Sequence, residues 1–385
     1  MLTKVVFLIR DLNYAGAQRQ LVTLAKGLDK QYFDVTVLYF YAGGPLAKEL
    51  EINGIKAICL DKKERWDVIP FFKRLVGYLR EIKPNILHGY LGESNLLCIF
   101  LKPFFPKTRM IWGIRESDTD PSLYGWLGSL LSYLECKLAR FADLIISNSY
   151  AGKYYHQKLG FPEQKMIVIP NGINIERFVP LAEAGKKVRK EWEIPEDIIL
   201  IGKVGRLDPM KDHTTFLQAA ALICETRRDV RFVCVGTGPQ IYALQLHQLA
   251  DKLGIKDKVI WSETRGDMTS VFNSFDIATS ASAYGEGFGN VIGEAMACSV
   301  PCVVTDVGDS KMIVGDTGIV VPPKNPQALA NAWLKTLENN KKSSLAIAGE
   351  YGSKVTNARE RIQKNFSNQI LYEKTAMVLK TVIQE

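Results

Sequence analysis

Histidine is scarce in this chain. Four occur in 385 residues, at positions 88, 156, 213 and 247, and none sits at the spacing of a metal-binding pair. The seven cysteines include no CxxC pair. Cys234 and Cys302 lie inside apolar, strand-like runs and read as small hydrophobes. An odd cysteine count behind an N-terminus without an apolar leader, MLTKVVFLIRDLNYAG, points to a reducing compartment, so a cytoplasmic location is expected. Long apolar runs are missing as well. No window reaches the ~18 apolar residues of a membrane span. The greasiest stretch, LLCIFLKPFFPK at 96–107, contains Pro103 and Pro106 and reads as a core helix running into a loop. The chain has no GxGxxG; VGTGP and GEGFG have the wrong spacing, which argues against a dinucleotide-dependent dehydrogenase. Short repeats and low-complexity segments are absent.

What is present is an ordinary globular composition, 47% hydrophobic and 23% charged, with a net charge of +8. The charge is uneven. Residues 1–170 hold 23 Lys and Arg against 16 Asp and Glu, whereas the remainder is nearly balanced. A basic first half suits an anionic partner or surface, or is a plain solvated face. Strand-like runs at 4–10, 33–41, 56–60, 85–91, 109–115, 144–149 and 166–172 alternate with helical patterns, the rhythm of a parallel sheet covered on both faces. The rhythm stops at 173–198, a stretch rich in charge and proline that reads as a linker with one short helix. It resumes at 198–207, 231–236, 258–262, 276–282, 301–306 and 318–323, and the tail is helical. The expected architecture is α/β, with two doubly wound, Rossmann-like halves: residues 1–172 and residues 199–365. Ligands of such sheets sit at the carboxyl ends of the strands.

Two loops after strands carry chemistry. In VGRLDPMKDH (204–213), Arg206 and Lys211 stand five apart across a turn containing Pro209. A planar guanidinium and a mobile ammonium together suit a diphosphate. In GEGFGNVIGEAMA (285–297), Gly285, Gly287 and Gly289 leave the backbone open. A helix starting near Gly289–Asn290 would offer free N–H groups to phosphate. Glu286 lies ahead of that start and Glu294 about one turn into the helix, and carboxylates accept hydrogen bonds from vicinal hydroxyls. One glutamate on a sugar, the other on a ribose and phosphates between them describe a nucleotide sugar. Each loop alone also reads as a solvated turn.

Together these segments resemble the two signatures of the retaining glycosyltransferases of family 4, whose fold is GT-B. Glu286 and Glu294 meet the E-x7-E spacing. NYAGAQRQ (13–20) is similar to the family's glycine-rich loop after the first strand, VIPNGINIERF (168–178) to its domain-crossing segment, and TRGDM (264–268) to the loop that meets the base through its backbone. The resemblance runs from about residue 4 to about 323. It implies a donor, UDP- or GDP-linked, bound by Arg206, Lys211, Arg265 and Glu294. Glu286 would hold the transferred sugar, with backbone from Gly287, Phe288, Gly289, Asn290 and Val291 around the sugar and phosphate. Gly16 would let the first-half loop close over the donor. No metal and no other cofactor are expected, and the tail helix 366–384 would cross back to the first half.

The first half departs from the family pattern. Where many members carry a histidine after the fifth strand, this chain has WGIRESDTD (112–120), so Glu116 or His88 is a candidate for the first-domain catalytic role, and Arg115 could instead face the phosphates. Asp118–Thr119–Asp120 matches the metal-binding DxD of another glycosyltransferase fold, and the companion motifs argue against that use. The alternatives are a nucleotide-sugar epimerase of the same fold, a paired-carboxylate hydrolase and a non-catalytic nucleotide-sugar binder. The acceptor, a glycan, a lipid-linked sugar or a small molecule, should sit on the basic first half. There ERWDVIPFFKRLVGYLREIK (64–83) sets Trp66, Phe71 and Phe72 beside Lys73, Arg74 and Arg80, so peripheral contact with an anionic membrane is one reading. No nucleic acid is expected as a partner.

Overall fold

The computed structural model describes residues 2–64, 66–115, 117, 125–345 and 350–384. The chain divides into two compact units: residues 1–172 with 368–385, and residues 173–367. Each of the thirteen strand-like runs forms a strand, and every strand pair is parallel.

Unit 1 holds β1 (Thr3–Ile9), β2 (Phe33–Tyr39), β3 (Lys56–Cys59), β4 (Ile86–Tyr90), β5 (Arg109–Ile114), β6 (Leu144–Ser147) and β7 (Met166–Val168). Their order across the sheet is β3-β2-β1-β4-β5-β6-β7, so the winding reverses between β1 and β4. Both faces are buried, which is why β1 reads as a continuous apolar run. Val5, Phe7 and Ile9 face one core with Ile86 and Tyr90. Val6 and Leu8 face the other with Leu87, Met110 and Trp112.

The last helix, Asn368–Gln384, packs in this unit, where Leu371, Leu379 and Val382 join the core of β1 and β4. Its Tyr372 ring packs against Gly27 at the end of the helix Gly16–Gly27; a Cβ on Gly27 would stand 2.0 Å from the ring. The helix Val68–Ile82 buries part of the stretch offered for membrane contact. Phe71 is buried and Phe72 packs beside it, while Arg74 pairs with Asp67 at 2.8 Å. Trp66, Val68 and Ile69 are the apolar side chains left exposed there.

Unit 2 holds β8 (Ile199–Val204), β9 (Val230–Val235), β10 (Val259–Ser262), β11 (Ile277–Ser280), β12 (Cys302–Thr305) and β13 (Ile319–Val321), in the order β10-β9-β8-β11-β12-β13. Its winding reverses between β8 and β11. Residues 173–198 are packed rather than free. Ile173, Phe178 and Ile194 are buried in this unit's core, and Arg189 of the helix Ala182–Glu191 pairs with Asp276 at 3.0 Å. The apolar residues of the stretch are spaced too irregularly to show this in sequence.

The Gly27–Tyr372 contact yields a size test. Gly27→Ala should lower stability by about 1–3 kcal/mol, the usual cost of overpacking, and Gly27→Ala with Tyr372→Ala should recover part of it. Urea denaturation of the two variants and of Tyr372→Ala alone checks this; equal losses from Gly27→Ala in both backgrounds would contradict it.

Candidate active site

The two chemistry-bearing loops leave β8 and β11, the pair of strands where unit 2 reverses its winding. Such a reversal opens a crevice at the carboxyl ends of the strands. After β8 the backbone passes through Gly205 and Arg206 into a short turn, Pro209–Lys211. Asp208 accepts from the Met210 N–H at 2.8 Å, and Asp212, at φ 48°, caps the helix His213–Thr226 through the Thr215 N–H at 2.9 Å. This double cap fixes where Lys211 stands. The Ala283 N–H donates to the Met210 carbonyl at 2.8 Å, tying the loop after β11 to that turn.

Glu286 is the centre of the site. It is buried, and the Lys211 ammonium donates to its Oε1. Ser282 Oγ donates to the same oxygen at 2.7 Å. Burial pushes the carboxyl up, but the Lys211 charge and the hydrogen bonds from Lys211 and Ser282 outweigh it and hold the group below its ordinary value. Thr305 Oγ1 donates to the Ser282 carbonyl at 2.7 Å and the Asp309 N–H to the Gly287 carbonyl at 3.0 Å, so the loop after β12 braces the glutamate from behind. Gly308, at φ 60°, lies so close that a Cβ would fall 2.3 Å from the Glu286 carbonyl oxygen.

The helix Asn290–Ala297 begins where the spacing placed it, with no side chain capping it. Glu294 is half-buried one turn in. Phe288 is buried against Phe366, ring centroids 5.5 Å apart, so only its backbone faces a ligand site. Arg206 is the exposed member, with its guanidinium 3.6 Å from Asp208. Arg265 pairs with Glu191 and Asp267, which leaves the TRGDM backbone rather than this side chain for a ligand.

Two features escaped the sequence reading. Lys203 on β8 is 2% exposed. Burial pushes its ammonium down from 10.5 to about 8, and the Lys211 charge adds to the shift against Cys234, Asp212 and Glu286. It looked like one polar residue in an apolar strand. VGTGP, which fails as a dinucleotide motif, packs on the Arg206 loop: a Cβ on Gly236 would meet the Gly205 carbonyl oxygen at 2.2 Å.

Residues 185–355 match the family model described as glycosyl transferases group 1, and residues 14–177 match the one described as glycosyltransferase family 4. The chain belongs to the family 4 glycosyltransferases. A D-inositol 3-phosphate glycosyltransferase of Corynebacterium urealyticum is 31% identical over 66% of this chain and 64% of its own length. A Campylobacter jejuni enzyme, N-acetylgalactosamine-N,N'-diacetylbacillosaminyl-diphospho-undecaprenol 4-alpha-N-acetylgalactosaminyltransferase, is 27% identical over 88% of this chain and 91% of its own. Anabaena HepE, solved with UDP and glucose, superposes with a TM-score of 0.85 at 22% identity, covering 98% of this chain and 100% of that one. The fold is therefore GT-B, as the motifs implied.

The family 4 pattern meets less support in unit 1. Gly16 opens the helix after β1, exposed and without a side-chain cap. His88 is a correction: it is fully buried on β4 between the rings of Phe7 and Tyr90, so it has no surface with which to touch a substrate. Burial first, and the Arg115 charge second, keep its imidazole neutral. Glu116 and the residues 118–120 lie outside the described residues. Among the described residues, no group of three or more His, Cys, Asp or Glu comes together as a metal site, and no helix is long and apolar enough to cross a membrane.

Lys203 gives a pH-dependent prediction. Its depressed value means that the native state holds a costly proton below about pH 8, a cost of roughly 3 kcal/mol on the span from 10.5 to 8. Between those values the unfolded chain keeps the proton that the native state has lost, so native stability rises with pH there. Lys203→Met should be more stable than wild type at pH 7, by roughly 1–3 kcal/mol, with the gap closing between pH 8 and 10.5. Urea denaturation at pH 7, 9 and 10.5 reads it directly.

Proposed function

We propose that this family 4 protein moves a sugar from a UDP- or GDP-sugar to a hydroxyl of a phosphate-bearing acceptor, with retention of anomeric configuration and without a metal. The observation that carries the reading is the buried Glu286 held by Lys211 and Ser282 beside the start of the helix Asn290–Ala297. In this reading the donor diphosphate draws Lys211 toward itself, with Arg206 from the open side. Glu286, released from its ammonium, accepts hydroxyls of the sugar, and Glu294 accepts those of the ribose. Charge develops on the leaving diphosphate, where Lys211, Arg206 and the helix N–H groups are already oriented, so stabilisation costs little reorganisation. The acceptor hydroxyl attacks from the face the diphosphate leaves, and the diphosphate takes the acceptor proton.

The acceptor class rests on the relatives. One is named for inositol 3-phosphate and the other for a diphospho-undecaprenol glycan, which share a phosphate. A lipid-linked acceptor accords with a basic first half and the exposed Trp66, Val68 and Ile69, which suit peripheral contact with an anionic cytoplasmic membrane face.

A thermal-shift panel of UDP, GDP, ADP and common UDP- and GDP-sugars tests the donor, because a ligand bound only by the native state raises Tm by mass action. One nucleotide should stabilise wild type and not Glu294→Ala, equally in EDTA and in manganese. Manganese dependence would overturn the metal-free part. Donor turnover to a changed nucleotide sugar without acceptor would make it an epimerase.

A further inference from the structure

Lys203 is a cation set into the floor of the Glu286 site. It lies on β8, in register with Cys234 of β9 on one side and Thr279 of β11 on the other. A lysine buried there destabilises the fold, so its position needs a cause. The ladder continues past Lys203, since the Gly205 N–H donates to the Val235 carbonyl at 3.0 Å. Side chains alternate along a strand, so Lys203 and Gly205 face the same side. The Lys211 stem covers Gly205: a Cβ there would be 3.6 Å from Lys211 Cδ. Lys211 therefore reaches from Gly205 to Glu286, and Lys203 stands one pleat beneath it.

The other groups around Lys203 are neutral or engaged. Burial pushes the Cys234 thiol up to about 12. His213 opens the helix His213–Thr226, fully buried, and among the described residues neither of its ring nitrogens has a hydrogen-bond partner. Burial first, then the Lys203 and Lys211 charges, keep its imidazole neutral, so it faces both ammoniums and adds no charge. Asp212 accepts from the Thr215 N–H at 2.9 Å and from Thr215 Oγ1 at 2.6 Å. Asp309 meets the glutamate's loop through its N–H, at the Gly287 carbonyl. Glu286 is the carboxylate on which both lysine charges act.

In the donor reading, Lys211 leaves Glu286 for the diphosphate. A buried carboxylate that loses its ammonium tends to take up a proton, and then accepts hydroxyls less well. Lys203 is part of the strand and stays behind. We propose that Lys203 is a positioning residue for Glu286, a fixed second cation that keeps the glutamate ionised while the diphosphate holds Lys211. This rests on the nucleotide-sugar donor proposed above and gives the buried lysine a part in reading the transferred sugar. The stability that Lys203 removes from the empty protein is then the counterpart of an ionised glutamate in the loaded one.

Two measurements test this. The first needs no ligand: urea denaturation at pH 7 of Lys203→Met in wild type, in Lys211→Met and in Glu286→Gln. Lys203→Met should raise the midpoint in wild type. The gain should vanish or reverse in Lys211→Met, where Glu286 has lost its nearer cation, and should grow in Glu286→Gln. Equal gains in wild type and Glu286→Gln overturn the proposal, and that comparison stands even if Lys211→Met does not fold. The second is isothermal titration of UDP, UDP-glucose, GDP and GDP-mannose at pH 6 and pH 8. Lys203→Met should bind the nucleotide within about twofold of wild type. At pH 6 its ratio of nucleotide-sugar to nucleotide affinity should fall about fivefold, the difference between a charged and a neutral acceptor. The fall should be smaller at pH 8, where Glu286 ionises unaided. In the Glu286→Gln background Lys203→Met should change the ratio no further, whereas simple repacking would still move it. An unchanged ratio at pH 6 overturns the proposal. A tenfold loss of nucleotide affinity places Lys203 on the phosphates and overturns it too. If neither nucleotide binds wild type, the donor reading fails and this proposal fails with it.

Discussion

A carboxylate buried beside an ammonium organises unit 2. Glu286 cannot stay ionised in that position without Lys211 and Ser282, and Lys211 cannot be held there without the double cap on either side of it. The pair joins loops that leave two neighbouring strands, so it forms only when β8 and β11 lie side by side at the reversal of the sheet. The loop after β12 then supports the glutamate and the loop after β9 supports the arginine. Removing one partner of a buried charge pair is worse than lacking both, which makes this cluster a stability element of unit 2.

Much of this was legible in the residues. Apolar runs of five to ten residues, separated by helical periods, located every described strand, because a doubly covered parallel sheet buries both faces of its strands. The glycines of 285–289, followed by a 3.6-residue apolar period, placed the start of the helix Asn290–Ala297. Ion-pair partners were not legible. Lys211 meets Glu286 across 75 positions, and nothing local announces it. Lys203 was invisible for a related reason: one polar residue in a strand shows no periodicity, and its burial depends on helices far away in sequence. His88 illustrates the converse. A histidine at a strand end invites a catalytic reading, and its rank on the sheet, one pleat inward between Phe7 and Tyr90, removes it from the surface.

The helix Asn368–Gln384 has a consequence for how the protein is made. Unit 1 takes its first 172 residues from the beginning of the chain and part of its core from Leu371, Leu379 and Val382. During vectorial synthesis, the first sheet emerges from the ribosome and waits while the whole of unit 2 is translated, with one flank of β1 and β4 uncovered. At about 5–20 residues per second that wait lasts some tens of seconds. Unit 2, contiguous in sequence, can complete its own core sooner after its last residue appears. The nascent chain therefore holds a folded unit 2 while unit 1 still lacks part of its core.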